Sequence, residues 1–249
     1  MMLTHLKLSL KMQLRIPISI FFSLVFPILM LTIMVVSYGN FSIGNGYRFV
    51  DKYFLISTAI GLIPIAFISF PIWVGESIGN DSLKRLKFFG VNIRSLLIAD
   101  LLSYVVLALS SILFNILVAT VFFDLNLPTM AHLFSYLLHT MYLMVGLFLV
   151  GLVLALYVRN TKLLLPLGMI LLFSIYMFIG VFVPFNELPS PLRNIAEFLP
   201  VKYLANDFFK IWTNDSLINK TFLWVNTVWI FIASGLVVVK TIWNRGEII

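Results

Sequence analysis

The sequence predicts an all-α integral membrane protein with six transmembrane helices. Of its 249 residues, 61% are hydrophobic and only 11% are charged. Soluble domains are about half apolar and about a quarter charged, so a water-soluble fold of this length would lack polar surface. The mean hydropathy of +1.06 agrees with a chain whose main solvent is the bilayer.

Six apolar stretches are long enough to cross a bilayer, which takes roughly 20 helical residues. They are residues 16–38, 53–75, 96–123, 132–158, 163–183 and 222–240. The stretches are continuously apolar and lack the alternation of barrel strands, which favours helices. Four prolines inside them are predicted to kink their helices, which membrane helices tolerate: Pro27, Pro64, Pro71 and Pro166.

The distribution of Lys and Arg predicts that both chain ends are cytoplasmic, because cytoplasmic loops carry the excess of these residues. Eleven of the 17 lie in the two terminal segments and in the loops after the second and fourth stretches. The other six lie on the opposite side, four of them in one loop that also holds four acidic residues. The net charge of +7 therefore indicates membrane topology and not a nucleic-acid partner.

Residues 3–15 are predicted to form an interfacial helix on the cytoplasmic leaflet. A leucine stripe lies beside a basic stripe, Leu6, Leu10 and Leu14 next to Lys7, Lys11 and Arg15. The same residues alternate between apolar and polar, which would also suit a strand. A strand with no partner ahead of a transmembrane helix is the less favoured alternative.

The loop of residues 76–94, between the second and third stretches, contains a short amphipathic helix pattern. Asn80, Asp81 and Ser82 can cap a helix start, and Gly90 suits its end. Between them, apolar side chains recur every three residues among basic ones: Leu83, Leu86 and Phe89 with Lys84, Arg85 and Lys87. Such a helix can dock into a groove of a cytoplasmic partner. On composition alone, an ordinary basic loop that lies on anionic lipid is the more common alternative.

The loop between the fifth and sixth stretches, residues 184–221, is named here the Pro-rich segment because it holds four prolines. Leu192, Ile195 and Leu199 would share a helical face. Segments of this kind can re-enter the membrane as short broken helices. A structured outer loop with no role in transport is the open alternative.

Motifs for catalysis and nucleotide binding are absent from the sequence. There is no Cys, there are only three His, and no Walker A, dinucleotide-binding, zinc-protease or serine-hydrolase motif occurs. We therefore expect no cofactor or metal in this chain, and ATP-driven work would need another polypeptide. Two ionisable residues inside the stretches, Asp100 and His139, are functional candidates. Asp100 could instead pair with Arg94 or Lys87, and His139 could be a hydrogen-bonded packing residue.

With these features the chain resembles the permease subunits of type-2 ABC transporters, also called ABC-2 exporters, over nearly its whole length. Its Glu76…Gly79…Leu83-Lys84-Arg85-Leu86 pattern is similar to the family's coupling loop. The Pro-rich segment is similar to the family's Pro…Leu-Pro…Leu…Pro…Tyr pattern, here Pro184…Glu187-Leu188-Pro189…Leu192…Ile195…Phe198-Leu199-Pro200…Tyr203. The chain departs from the family at Asn80, Gly90 and Asp100, where Thr, Pro and Lys are common.

The resemblance implies one transmembrane domain over residues 1–249, with a coupling helix at residues 79–90. The residues expected to contact the ATPase are Glu76, Gly79, Leu83, Lys84, Arg85, Leu86 and Phe89. Those expected to form re-entrant helices that cap the pathway outside are Pro184, Glu187, Pro189, Pro200 and Tyr203.

The resemblance also implies an assembly. Two ATP-binding subunits would hold ATP and Mg²⁺, and a second permease, identical or related, would face the first within the membrane lipids. The pathway between the permeases would be lined mainly by the first, second and fifth spans. The substrate would be a hydrophobic drug, an antimicrobial or amphipathic peptide, or a lipid-linked molecule, exported across a bacterial cell membrane, which would link the protein to antibiotic resistance or peptide export.

Two other classes of function remain as alternatives. An ATP-independent channel or secondary carrier would show several ionisable groups near the midplane or an inverted repeat. An intramembrane enzyme would show catalytic groups clustered at one depth. Neither pattern is evident in the sequence.

Overall fold

The computed structural model describes residues 2–13, 20–79, 88, 93–158 and 160–243. Over these residues it confirms the prediction of an all-α membrane fold with six helices long and apolar enough to span a bilayer. An N-terminal helix, Met2–Gln13, precedes them. Spans 1 to 6 are, in order, Phe21–Tyr38, Phe49–Ser77, Ser95–Phe123, Met130–Tyr157, Thr161–Ile179 and Lys220–Trp243.

Local signals explain where the structure and the predicted bounds differ. Span 2 begins at Phe49, four residues before the apolar stretch, because the Asp51 carboxylate accepts the Arg48 backbone N–H at 2.7 Å and caps the helix. Span 5 ends at Ile179 because Gly180 adopts a left-handed conformation with φ of 92°. A left-handed glycine terminates a helix at little steric cost.

A small antiparallel hairpin, not predicted from the sequence, joins spans 1 and 2. Strand β1 is Ser42–Gly44 and strand β2 is Tyr47–Arg48. The turn residues Asn45 and Gly46 have φ of 53° and 80°. An Asn-Gly pair is the preferred sequence for such a turn because both residues tolerate positive φ. We call this end of the bundle the hairpin end, and the opposite end the N-terminal end.

Span 2 lies at the centre of the bundle. Its most apolar 18-residue window is 94% buried, whereas the windows of the other five spans are 17–44% buried. Its first half, Phe49–Pro64, packs on spans 1 and 3 and on the Pro-rich segment, and its last part, Phe70–Gly79, packs on spans 4 and 5. The expectation that span 2 lines a pathway between subunits is therefore not met within this chain, because its faces are already covered.

Two of the membrane-spanning helices contain a π-helical turn beside proline. Phe21–Val25 precedes Pro27 in span 1, and Ile65–Ser69 lies between Pro64 and Pro71 in span 2. Proline lacks the N–H that an α-helix needs, so the regular bonding is interrupted there. Span 5 is α-helical throughout despite Pro166.

Hydroxyl groups from other spans donate to carbonyls that stand four residues before two of these prolines, where proline has no N–H to donate. The carbonyls of Ser23 and Ile60 stand four residues before Pro27 and Pro64. The Ser23 carbonyl accepts the Ser111 hydroxyl of span 3. The Ile60 carbonyl accepts the Tyr176 hydroxyl of span 5 at 2.7 Å. The irregular backbone of spans 1 and 2 is thus fixed by their neighbours.

Glycines on spans 4 and 5 allow span 2 to approach closely. A Cβ added at Gly151 would lie within 3.0 Å of the Ala66 carbonyl oxygen, and one added at Gly168 within 3.0 Å of the Phe67 carbonyl oxygen. Both contacts are to backbone, which cannot turn aside as a side chain can. Small residues at such crossings are typical of packing between membrane helices.

Candidate functional site

Two of the predicted ATPase-coupling residues, Glu76 and Gly79, lie at the end of span 2. Glu76 is exposed, and Gly79 is the last residue of the helix Phe70–Gly79. The other coupling residues lie outside the described part of the chain: Leu83, Lys84, Arg85, Leu86 and Phe89. The coupling helix itself therefore remains a prediction, and the structure places only the helix that leads into it.

The N-terminal helix packs against the start of span 3. Residues 2–13 are helical, so the strand alternative is not adopted. The contact is polar: the Ser9 hydroxyl donates to the Asp100 carboxylate, and the Gln13 amide donates to the Ser103 hydroxyl. Asp100 thus has a partner that was not predicted. Lys87 and the side chain of Arg94 lie outside the described residues.

The Pro-rich segment folds as a series of short helices. A 3₁₀ turn, Phe185–Glu187, is followed by the α-helix Ser190–Ala196 and then by a helical run over residues 200–212. Prolines stand near the first positions of the last two, where their missing N–H does no harm. The predicted face of this segment is not the buried one, because Ile195 is 51% exposed whereas Ala196 is buried.

The helical run over residues 200–212 is enclosed by spans 2, 4 and 6. The Trp212 ring lies 4.8 Å from the ring of Phe54 in span 2, tilted by 40°, and Phe208 lies 4.8 Å edge-on to Phe222 of span 6. All four rings are fully buried. Aromatic pairs at these distances add stability beyond their buried area.

The Pro-rich segment also contacts span 6 well beyond the start of that helix. The indole N–H of Trp229 donates to the Phe198 carbonyl at 2.7 Å. Trp229 follows the helix start at Lys220 by nine residues, which corresponds to roughly 14 Å of α-helix at about 1.5 Å per residue. Of the five residues predicted to matter here, Pro200 and Tyr203 are in the buried run, and Pro184, Glu187 and Pro189 are exposed.

A charge cluster around the buried ammonium of Lys202 was not predicted. From the sequence, its members were counted only among the basic and acidic residues of the loop. The side chain of Lys202 is 6% exposed, and its ammonium lies 2.7 Å from the Glu197 carboxylate and 2.9 Å from that of Asp207. It also lies 5.0 Å and 4.8 Å from the ring centres of Phe185 and Tyr203. The regular spacing of Glu197, Lys202 and Asp207, five residues apart, was the available signal.

The hydroxyl of Tyr203 stays protonated in this cluster. Burial raises its pKa to about 12, and the carboxylates of Glu197 and Asp207 act in the same direction. The phenol therefore donates a hydrogen bond, to the Glu197 carbonyl at 3.0 Å. Tyr203 helps to hold the end of one short helix against the start of the next.

His139 is buried in span 4 with both ring nitrogens used. Nδ1 donates to the Ser135 carbonyl at 2.8 Å, and Nε2 accepts the Asn219 backbone N–H at 3.3 Å. Its ring contacts Phe208 and Phe222. This geometry fixes the chain just before span 6. Over the described residues, no group of three or more acidic or His side chains could hold a metal ion.

A buried carboxylate, that of Asp51, was also not predicted. It accepts the Arg48 backbone N–H, and it accepts both the backbone and the side-chain N–H groups of Asn126 at 2.7 and 3.0 Å. It therefore joins the hairpin to the loop after span 3. Because Asp51 precedes the long apolar stretch, hydropathy alone placed it outside the membrane helix.

Comparison with known proteins agrees with this architecture. The family model of the ABC-2 type transporter matches residues 2–211, more than four fifths of the chain. No curated protein and no solved structure matched. The matched region runs from the N-terminal helix through span 5 and most of the helical run that contains Lys202. The chain therefore belongs to the ABC-2 type transporter family and is a membrane permease of an ABC-type transporter.

Proposed function

We propose that this permease belongs to an exporter that moves a hydrophobic or amphipathic molecule out of the cytoplasm or inner leaflet. Substrate classes that suit this role are a hydrophobic drug, an antimicrobial or amphipathic peptide, or a lipid-linked molecule. The family implies an ABC ATP-binding partner. We further propose two copies of that partner, each holding ATP and Mg²⁺, and a second permease that faces the first in a bacterial cell membrane, with both termini in the cytoplasm.

The observation that carries the proposal is the course of span 2. At the hairpin end its Phe54 ring packs against Trp212 of the Pro-rich segment. At the N-terminal end it exposes Glu76 and leads directly into the predicted coupling loop. One buried helix therefore connects the place where the ATPase would push with the segment that would open outward.

A working cycle follows from this connection. ATP binding would close the two ATPase subunits and move the coupling helices, and each coupling helix would move the Phe70–Gly79 part of span 2. The π-helical turn Ile65–Ser69 separates that part from the first half, which packs mainly on spans 1 and 3 and on the Pro-rich segment. π-helical turns are frequent at functional sites. The movement would reach the Pro-rich segment through the first half of span 2.

The position of the Pro-rich segment supports the re-entrant role proposed for Pro184, Glu187, Pro189, Pro200 and Tyr203. The Phe198 carbonyl meets Trp229 well inside span 6, and the following helical run is enclosed by three spans. A loop that only lay on the surface would not bury Trp212 and Phe208 completely. We propose that this segment closes the pathway on the outer side.

The pathway itself is proposed to lie between two permeases and to be lined by spans 1 and 5. Both present large apolar side chains outward, including Ile33 and Val36 in span 1 and Ile170 and Met177 in span 5. An apolar path suits an amphipathic or lipid-like substrate. Span 2 would act from behind these two helices, since its own faces are covered.

Coupling is tested by purifying the chain together with an ABC ATP-binding subunit encoded beside it. Leu83→Asp and Leu86→Asp each place a charge on the predicted docking face, and we expect loss of the complex or a severalfold fall in permease-dependent ATP hydrolysis. Asn80→Asp is the matched control, because it adds the same charge to the same loop but keeps a residue that caps helices well. If neither leucine variant differs from this control, or no complex forms with the parent chain, the proposal fails.

A further inference from the structure

The buried ammonium of Lys202 is an unusual group for a short loop between two spans. Lysine is almost never fully buried unless it is paired, because its ammonium loses hydration. Here the Lys202 side chain is 6% exposed, while its partners Glu197 and Asp207 are 50% and 33% exposed. Water therefore reaches the Glu197 carboxylate and part of the Asp207 side chain, but neither the ammonium nor the Asp207 Oδ2 that pairs with it. Removing Lys202 would leave that buried oxygen without its partner.

The cluster connects separate parts of the Pro-rich segment. Phe185 belongs to the 3₁₀ turn, Glu197 caps the end of the helix Ser190–Ala196, and Asp207 ends the π-helical turn Tyr203–Asp207. The Lys202 side chain therefore contacts both preceding elements and, within its own helical run, the end of the π-helical turn. If Lys202 moved away, each part would lose a contact to the others.

The pairing of Lys202 with Asp207 depends on the π-helical turn. In an α-helix the residues three and four positions apart are neighbours, so residues 202 and 207, which are five apart, would diverge. A π-helical turn bonds each residue to the one five positions away, as the Phe208 N–H does to the Tyr203 carbonyl at 2.8 Å. The ion pair and the wide turn therefore stabilise each other, and losing one weakens the other.

We propose that Lys202, Glu197 and Asp207 form a latch that keeps the Pro-rich segment in its buried arrangement. The latch opens when the π-helical turn narrows to an α-helix, Asp207 turns away and the ammonium becomes hydrated. Its place in a transport cycle rests on the proposed export function, as the step that opens the outer side. All residues of the latch lie in this polypeptide, so its closing action can be tested without the ATPase.

The test uses the absence of cysteine from the chain, which makes any introduced thiol unique. Ala205, fully buried within the π-helical turn, is changed to Cys as the reporter. Its reaction rate with a membrane-impermeant maleimide is measured on the full chain in native membranes. Lys202→Met, which removes the charge at similar volume, should raise that rate by about tenfold or more, a change equivalent to about 1.4 kcal/mol in the opening equilibrium.

Two further backgrounds separate a charge latch from simple packing. Lys202→Arg retains the charge and should leave labelling close to the parent rate. The triple variant Lys202→Met, Glu197→Gln, Asp207→Asn removes all three charges and should restore slow labelling, because no charge is then left without its partner. A thiol at Ala59, buried in span 2, reports global unfolding and should stay unlabelled in every background.

The labelling rates either support or overturn the latch. Fast labelling in Lys202→Met with slow labelling in the triple variant supports the latch. A Lys202→Met rate equal to that of the parent overturns it, and so does a triple variant as fast as Lys202→Met, because packing would then be the cause. Failure of the ATPase experiment above would remove the exporter role but would leave these labelling results unchanged.

Discussion

Spans 2 and 6 are equally apolar but occupy opposite environments. Both have a mean hydropathy of 2.1 over their best window, yet that of span 2 is 94% buried by protein and that of span 6 only 17%. Span 6 packs mainly on span 4. Hydropathy therefore identifies a membrane helix but does not indicate whether lipid or protein surrounds it.

The difference is due to glycines and hydroxyl groups, whose contribution a mean hydropathy over a long window does not show. Helices around span 2 bring glycines against its backbone and hydroxyl groups to its carbonyls, as Gly168 and Tyr176 do. Span 6 has a glycine too, Gly235, but a Cβ there would meet nothing within 4 Å. Substitutions in the contacts of span 2 and matched substitutions in span 6 or its contacts should therefore have very different effects.

The largest effect is expected for Gly168→Val. A Cβ at residue 168 would press on the Phe67 carbonyl, so span 5 must move away from span 2. We expect a destabilisation of about 3 kcal/mol or more, the upper range for overpacking. Gly235→Val is the matched control and should change little. The measurement is the fraction of folded chain that survives heating in detergent, read by size exclusion, and equal losses for the two variants would contradict the comparison.

A smaller but substantial effect is expected for Asp51→Ala at the start of span 2. The change leaves the N–H groups of Arg48 and Asn126 without their acceptor, at about 2–3 kcal/mol for buried donors. Asp124→Asn is the control, because asparagine tolerates the positive φ of 54° at this position. It removes a carboxylate that is 82% exposed and pairs with Arg48, and surface pairs contribute less than about 1 kcal/mol. Midpoints of denaturation that shift equally would show that the Asp51 contacts are not structural.

The sequence was sufficient for those features that depend on composition over a long window. Six spans and the helical N-terminal segment followed from apolar runs and from side-chain periodicity. The hairpin was not predicted although Asn45-Gly46 signals it, because its strands have only three and two residues and show no alternation of their own. The family could be inferred because the spacing of Glu76, Gly79 and the prolines is a local pattern.

The sites that the sequence did not reveal depend on contacts between distant residues. Lys202 pairs with Asp207 only because a π-helical turn brings the two residues together, and no propensity predicts that turn. Tyr176 finds the Ile60 carbonyl, 116 positions away, only after spans 2 and 5 have packed. The central position of span 2 is likewise a property of the whole bundle.

Removal of a single hydroxyl group gives a finer comparison of the two spans. Tyr176→Phe deprives the Ile60 carbonyl of a donor that Pro64 cannot replace, so we expect a loss of about 1–2 kcal/mol. Tyr157→Phe removes a hydroxyl bonded to the Leu236 carbonyl of span 6 at 3.2 Å, in an exposed position, and should lose less than about 0.5 kcal/mol. Titration with a denaturing detergent measures both, and a Tyr157 effect as large as that of Tyr176 would refute the assignment.

The smallest difference concerns two buried asparagines. Asn115 of span 3 donates to the Ser57 hydroxyl of span 2 at 3.0 Å, within a group that also includes Thr58. Asn226 of span 6 donates to the Tyr142 carbonyl at 2.8 Å, but its Oδ1 has no donor among the described residues and faces Gly146.

Replacement by Leu should therefore separate the two positions. Asn115→Leu breaks a satisfied group and should lose about 1 kcal/mol, in the range of hydrogen bonds between membrane helices. Asn226→Leu loses one bond to a carbonyl that lies within a regular helix, and it also removes an unpaired buried oxygen, so the net change should stay within about 0.5 kcal/mol. The same detergent titration measures both variants. If Asn226→Leu proved the more destabilising, specific polar contacts would hold span 6 as firmly as span 2. The low burial of span 6 would then no longer predict that it tolerates substitution.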